Sequence, residues 1–307
     1  MKNIVIVNPS AGNSRTEKMW PEIEAVLKKN IGSFQTLKTK FRGDAVLLTR
    51  KALEEGATRI VAVGGDGHLN EVLNGFIKND VQYNREATLT FLMTGTGCDF
   101  QRSLDIPRKF QNAVSSLKNG KVRKIDIGKI SYTTPDKKQE IRYFINIASF
   151  GLSGSVDHCV KNARMRNYLG GPLLFLWATI KTVLTHPNQK ISYCINDGAQ
   201  LEVKTRLCLL ANGCYFGGGM HAAPEAKIDD GLMDLLILKE ISVARLLWHL
   251  PKIYRGTHLS IPEIYFQKVT KFYASSSEKV ILDIDGESPG YLEATFEILP
   301  KVLNLDV

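Results

Sequence analysis

Two glycine loops lie in the first third of the chain, each with an aspartate at hand: Gly64-Gly65-Asp66-Gly67, and Gly95-Thr96-Gly97 followed by Asp99. Glycines can take positive φ and let backbone N–H groups come close to an anion. A helix that begins there adds its partial positive charge. This is phosphate-binding chemistry. Phosphoryl transfer to an alcohol also needs magnesium to neutralise phosphate charge and a carboxylate to take the hydroxyl proton. Asp66, Asp99, Asp229, Asp230, Asp234, Asp285 and Glu287 are the acidic candidates. Asp-Gly is also an ordinary hairpin turn, so pattern alone does not rank them.

Several commoner chemistries are excluded by their missing residues. There is no GxxxxGK[ST], neither glycine loop completes GxGxxG, and the HRD and DFG elements of protein kinases are absent. GLSGS at Gly151 to Ser155 approaches the hydrolase elbow GxSxG, but Ser155 stands where its last glycine belongs. Five scattered cysteines without a CxxC pair argue against a zinc site or a disulfide framework and for a reducing compartment. The excess of 40 Lys and Arg over 31 Asp and Glu, a formal charge of +9, favours an anionic partner. No nucleic-acid motif accompanies the charge, and no obligate protein partner is visible.

The loops need elements to hold them. Ile4 to Val7 reads as a strand, Trp20 to Lys29 and Gly43 to Glu55 as helices, Ile60 to Val63 as a buried strand, and Leu69, Val72, Leu73 and Phe76 recur at helical spacing directly after GGDG. Thr88 to Met93 is a further strand, with a short helix expected over Asp99 to Leu104. Two strand, loop, helix units in succession put both loops at one edge of a parallel sheet, where α/β proteins bind ligands. After Lys118 to Lys124 the texture turns β-rich, with strands expected at Ile125 to Ser131, Arg142 to Ala148, Lys190 to Ile195, Val203 to Asn212, Gly231 to Leu238, Lys279 to Ile284 and Ala294 to Leu299. Helical patterns interrupt them near Val156 to Tyr168, Leu173 to Leu184 and Val243 to Tyr254. At 307 residues, two domains are expected: an α/β nucleotide-binding domain over 1–124 and a β-sandwich over 125–294. The N-terminal apolar run is too short for a secretory signal, and Pro172 to Leu184 is too short to span a bilayer, so a cytoplasmic protein is expected.

Taken in order, VNPSAG (Val7 to Gly12), TKFRGDA (Thr39 to Ala45), VGGDGHLNEVLNGF (Val63 to Phe76), GTGCDFQR (Gly95 to Arg102), ANGCYFGGGMHAAPEAKIDDGLMD (Ala211 to Asp234) and DGE (Asp285 to Glu287) resemble the diacylglycerol kinase catalytic-domain family over nearly the whole chain. The resemblance implies ATP and Mg2+ as cofactors, a lipid hydroxyl as acceptor, an active site in a cleft between the domains, and final residues 295–307 returning to the first domain. Under it, Asn8, Thr39, Gly64, Gly65, Asp66, Gly67, His68, Leu69, Asn70, Gly95 and Thr96 would bind ATP, and Asp66 and Asp99 would organise nucleotide and magnesium. Glu287 would be the general base, with Asp285 beside it in the catalytic set. Asp230, with the carbonyls of Lys227 and Leu232, would hold a structural magnesium.

The chain departs from the family pattern where His68 replaces Thr, Met93 replaces Pro, Cys98 replaces Asn and Gln101 replaces Ala. His68 could supply the hydrogen bond of the lost hydroxyl at the helix start. A kinase of a soluble alcohol or dinucleotide, and a weakly catalytic lipid- or nucleotide-binding regulator, are the competing readings. Lys161, Arg164 and Arg166 precede Tyr168, Leu169 and the apolar run, which suggests peripheral docking on an anionic membrane surface. The alternative for that run is a core helix of the second domain.

Overall fold

The computed structural model describes residues 2–107, 109–118, 121–161 and 171–307. Of the docking residues named above, Arg164, Arg166, Tyr168 and Leu169 lie outside the described residues, as does the side chain of Lys161. The chain forms two compact units, Met1–Ile127 with Pro300–Val307, and Gly128–Leu299.

In the first unit the elements run β1 (Asn3–Val7), α1 (Ala11–Ile31), β2 (Gln35–Lys38), α2 (Asp44–Glu54), β3 (Arg59–Gly64), α3 (Asp66–Phe76), the short strands β4 (Ile77–Lys78) and β5 (Val81–Gln82), β6 (Thr88–Met93), α4 (Asp99–Ser103) and α5 (Phe110–Lys118). β1, β3 and β6 are mostly apolar and buried at nearly every position, as strands covered on both faces must be. They pair in parallel, with Val5 opposite Val61 and Val61 opposite Thr90, and β2 adds to the free side of β1. Trp20, Ile23 and Leu27 of α1 close one face with Phe110, Ala113 and Val114 of α5.

The second unit contains β7 (Val122–Thr133), β8 (Gln139–Phe144), β9 (Ile147–Gly151), α6 (Leu152–Lys161), α7 (Gly171–Thr185), β10 (Gln189–Ile195), β11 (Leu201–Ala211), β12 (Tyr215–Phe216), β13 (Met220–His221), β14 (Met233–Lys239), α8 (Val243–Arg255), β15 (Ile264–Val269), β16 (Lys271–Ser275), β17 (Leu282–Ile284) and β18 (Tyr291–Asp306). β7 begins, and β18 ends, in the first unit. There Leu305 pairs in parallel with Leu89, and Asp306 makes a 2.8 Å ion pair with Arg59 of β3. In the second unit the pairs β7–β8, β9–β11, β9–β17, β10–β11, β10–β16, β11–β14, β14–β15 and β16–β18 are antiparallel. β11 serves three ladders: Leu201 to Thr205 pairs with β10, Leu207 to Ala211 with β9, and Thr205 to Ala211 with β14, where the register shifts between Thr205 and Leu207. Inward residues alternate as a sandwich requires. Met233, Leu235 and Ile237 of β14 join Phe150, Phe272 and Phe296 in the main core, whereas Leu236 faces Leu209, Ala222 and Ala223.

Two departures from the sequence reading have local causes. The single strand expected over Arg142 to Ala148 is broken at Ile145 and Asn146, because three successive amides there leave the ladder for a side chain described below. β15 and β16, which the alternation did not signal, are separated by Thr270 alone.

Candidate functional site

In the first unit three loops meet at the C-terminal edge of the parallel sheet. The loop after β1 turns through three consecutive left-handed residues, Gly12, Asn13 and Ser14, at φ 62°, 59° and 63°. A Cβ on Gly12 would sit 2.7 Å from the Thr94 carbonyl oxygen, so only glycine allows this approach to the loop after β6. The loops after β3 and β6 touch backbone to backbone: a Cβ on Gly95 would lie 2.6 Å from Gly65 Cα. The hydroxyls of Thr16 and Thr94, 2.6 Å apart and buried, tie α1 to the same place.

Asp66 fastens the second loop to the third. Its carboxylate accepts the N–H groups of Cys98 (2.9 Å), Asp99 (3.0 Å) and Phe100 (3.4 Å), which are the first amides of α4. Burial pushes its pKa up, and the amides of Phe100, Asp99 and Cys98 work in the opposite direction. A Cβ on Gly97 would stand 2.9 Å from Asp66 Oδ2 and 3.4 Å from Asp99 Oδ2, so the two carboxylates flank one glycine. Asp99 also pairs with Arg102 at 3.7 Å.

The other nucleotide candidates divide by exposure. Asn8 and Thr39 are half-buried at the same sheet edge; the Asn8 side chain accepts the Ser10 N–H, and the Thr39 N–H donates to the Val7 carbonyl. Thr96 is exposed. No side chain caps α3, whose N-cap is Gly65, so its first-turn amides are presented by Asp66, Gly67 and His68 as backbone. Leu69 and Asn70 are buried, and the Asn70 side chain accepts from Asn74. His68 does not cap the helix. Its imidazole is 5% exposed, packs where any Cβ on Gly64 would be, and its Nε2–H donates to the Ile6 carbonyl at 3.0 Å. Burial lowers its pKa to about 4, so the ring is neutral at pH 7. Its side chain is therefore turned toward strand β1 rather than offered to a phosphate.

In the second unit a second aspartate repeats the arrangement at Asp66. Asp285, 7% exposed, accepts the N–H groups of Ile145 (2.9 Å), Asn146 (3.1 Å) and Ile147 (3.0 Å). Asp285 and Gly286 have φ of 49° and 83°, the two left-handed central residues of a tight hairpin turn closed by the 3.0 Å bond from the Glu287 N–H to the Ile284 carbonyl. Glu287 follows on this turn, half-buried. Asn146 and Asn212 extend the network: Asn212 Nδ2 donates to the Ile145 carbonyl and Asn146 Nδ2 to the carbonyl of Tyr215.

Asp230, read as a ligand of a structural magnesium, is paired with a cation already built into the chain. Lys268 Nζ lies 2.7 Å from Asp234 Oδ1 and 3.1 Å from Asp230 Oδ2, and donates to the Glu225 carbonyl at 3.3 Å. The other Asp230 oxygen accepts the Leu232 N–H. Burial presses Lys268 to lose its proton, but the two carboxylates outweigh it and its pKa is raised. Burial presses the Asp234 carboxyl upward against the pull of Lys268; at a 2.7 Å separation we take the pair as charged. With the ammonium in place, the Asp230 and Asp234 carboxylates already face a cation. Sequence reasoning missed Lys268 because it lies 34 residues beyond Asp234 on a strand that was not foreseen.

Residues 2–130 match the diacylglycerol kinase catalytic domain, and residues 146–307 match the YegS C-terminal NAD kinase beta sandwich-like domain. Diacylglycerol kinase of Staphylococcus carnosus is 29% identical over 294 residues, 95% of this chain and 90% of its own length. Diacylglycerol kinase of Bacillus subtilis is 30% identical over 294 residues, 95% of this chain and 91% of its own length. The chain belongs to the diacylglycerol kinase family. By that membership it is a kinase. A crystal structure of a proposed diacylglycerol kinase from Bacillus anthracis has the same fold, with a TM-score of 0.77 at 24% identity, covering 99% of this chain and 96% of that one. Among the described residues no helix is long and apolar enough to cross a membrane.

Proposed function

We propose that the chain transfers the terminal phosphate of ATP to the hydroxyl of a lipid. The observation that carries this reading is the junction of three glycine loops at the sheet edge, held by Asp66 and leaving the N-terminus of α3 without a side-chain cap. Uncapped amides and close backbone approach suit a triphosphate, and the glycines at 12, 95 and 97 stand where a Cβ would fill the space. Asp66 and Asp99, whose carboxylates both approach Gly97, fit a magnesium ion carried by the nucleotide, since magnesium commonly takes one or two carboxylates beside phosphate oxygens. That ion would neutralise phosphate charge when bound.

The residues of the chain account for the remaining steps. The loop amides orient the phosphates, and the fixed backbone approach holds the terminal phosphoryl group for in-line attack. Glu287 takes the proton of the acceptor hydroxyl, while Asp285 holds the turn that carries Glu287 by binding three amides. Asp285 is thus a positioning residue.

The test is transfer of labelled phosphate from ATP to a panel of diacylglycerol, phosphatidylglycerol, a sphingoid base and soluble alcohols. A lipid product is expected, and Glu287→Gln should lower its rate by ~10²-fold or more with nucleotide affinity unchanged. Transfer to soluble alcohols alone, or full activity of Glu287→Gln, would overturn the reading.

A further inference from the structure

Helices α7 and α8 of the second unit leave apolar surface uncovered in a way the rest of the described chain does not. Five of the eleven exposed large hydrophobics lie on these two helices: Leu173 (62%), Ile180 (38%), Leu184 (59%), Trp248 (80%) and Tyr254 (41%). On α7, Leu173, Trp177, Ile180 and Leu184 follow one another at spacings of four, three and four, a single stripe along the helix. The opposite side is spent on the fold, since Ala178 and Val183 are buried against Leu152 and Val156 of α6; Trp177 is shared, packing partly on the same cluster with Leu246 and Leu247 of α8 and leaving Leu173, Ile180 and Leu184 exposed. A stripe in excess of what the core uses calls for a second apolar neighbour.

The charges beside the stripe identify that neighbour. Neither Leu173–Thr185 nor Val243–Arg255 contains an Asp or Glu, and both carry basic residues. On α8, Arg245, Trp248, Lys252 and Arg255 recur at spacings of three, four and three, so the most exposed tryptophan sits in a basic row. Arg245 pairs with Glu263 at 2.8 Å, whereas Lys252 and Arg255 lie in the last turn and make no ion pair among the described residues. On α7, the Lys181 ammonium lies 5.0 Å from the centroid of the Trp177 ring. A protein partner would need matching acidic and apolar relief, whereas an anionic bilayer offers both features over any area. Tryptophan, leucine and basic side chains on one helix surface are the composition of interfacial helices.

We propose that α7 and α8 form a docking surface for an anionic lipid bilayer, with Trp248 and the α7 stripe entering the interface and Lys252 and Arg255 meeting lipid phosphates. This deepens the proposed function, on which it rests, by naming the surface through which a lipid acceptor is reached. Neither helix crosses the bilayer. At 15 and 13 residues they lie in the interfacial plane.

The test separates docking from chemistry by using the Glu287→Gln chain without nucleotide. Sedimentation with vesicles of phosphatidylcholine alone, or mixed with phosphatidylglycerol, measures partitioning. Binding to the mixed vesicles at low salt is expected, with a blue shift of tryptophan emission and quenching by brominated acyl chains that Trp248→Ala abolishes in large part. Lys252→Glu/Arg255→Glu should weaken partitioning by at least about 30-fold, each lost basic residue contributing roughly five-fold. Trp248 and Arg255 are exposed and Lys252 is half-buried, so circular dichroism and Tm serve as folding controls. Equal partitioning of parent and both variants, or a concentration-dependent dimer that buries Trp248 without binding vesicles, overturns the proposal. Failure of lipid phosphorylation with vesicle binding intact would instead overturn the proposed reaction.

Discussion

The neutral imidazole of His68 makes the first unit acid-sensitive at one identifiable position. In the folded chain its pKa is about 4, against 6.5 for the unperturbed side chain, because burial disfavours the charged ring and the Ile6 carbonyl restores only part of the loss. Between those values the unfolded chain binds a proton at this residue that the folded chain does not, so stability is fully present above about pH 6.5 and is lost as the pH falls toward 4. At about 1.36 kcal/mol per pKa unit, the loss between pH 7.5 and pH 4.5 amounts to ~2.5 kcal/mol. Asp66 works with the opposite sign. Its raised pKa means the folded chain binds that proton more tightly, so wild-type data alone do not isolate His68. The measurement is therefore a difference. His68→Gln keeps an amide N–H near the position of Nε2 and cannot titrate. Urea unfolding is followed by the fluorescence of Trp20, buried in the same unit, with Trp177 and Trp248 replaced by Phe. At pH 7.5 the variant should be the less stable by roughly 1–2 kcal/mol through lost ring packing. By pH 4.5 the gap should have closed or reversed. Parallel stability curves for the two proteins would show that the ring is not held neutral, and the argument from burial would fail.

The other perturbations address carboxylates that hold backbone. Asp66→Asn and Asp285→Asn each put an NH2 group among three amide N–H donors, which should cost about 2 kcal/mol of stability in unfolding measurements. For Asp66→Asn, affinity for magnesium-ATP by calorimetry should fall as well, whereas a fully stable, fully active variant would contradict the clamp. Lys268→Met leaves Asp230 and Asp234 facing each other without their cation, so Tm should drop by an amount corresponding to roughly 2 kcal/mol. Millimolar Mg2+ or Ca2+ should then raise the Tm of Lys268→Met while leaving wild type unchanged, and equal responses would refute the account of this site.

The sequence made the glycine-loop edge of the parallel sheet legible because its signal is local. Val61 to Val63 and Leu69 to Phe76 differ in period, and the glycines between them announce a strand, loop, helix junction. What stayed hidden were side chains whose partners lie far along the chain. A histidine at a helix start is by habit a cap, yet His68 reaches back 62 residues to a strand carbonyl. Asp285 was read for its chemistry, although its carboxylate is occupied by amides 138 to 140 residues earlier, and that occupation breaks the strand expected through Ile145. The apolar run from Leu173 left open a choice between membrane and core. In the fold it has a buried face and a bare one, which hydropathy averaged over the run does not separate.

Lys268 gives the second unit a property that a metal ion would not. A bound ion stabilises by mass action, so the fold it supports strengthens and weakens with the free concentration of that ion, and a chelator can remove it. An ammonium carried on β15 is present once per chain at all times, cannot be exchanged for a competing ion, and is delivered by the same hydrogen-bonded ladder that positions Asp234, opposite which it is paired. The Asp234 pairing is thereby independent of ion supply, so this part of the β-rich unit keeps its charge balance at any free metal concentration.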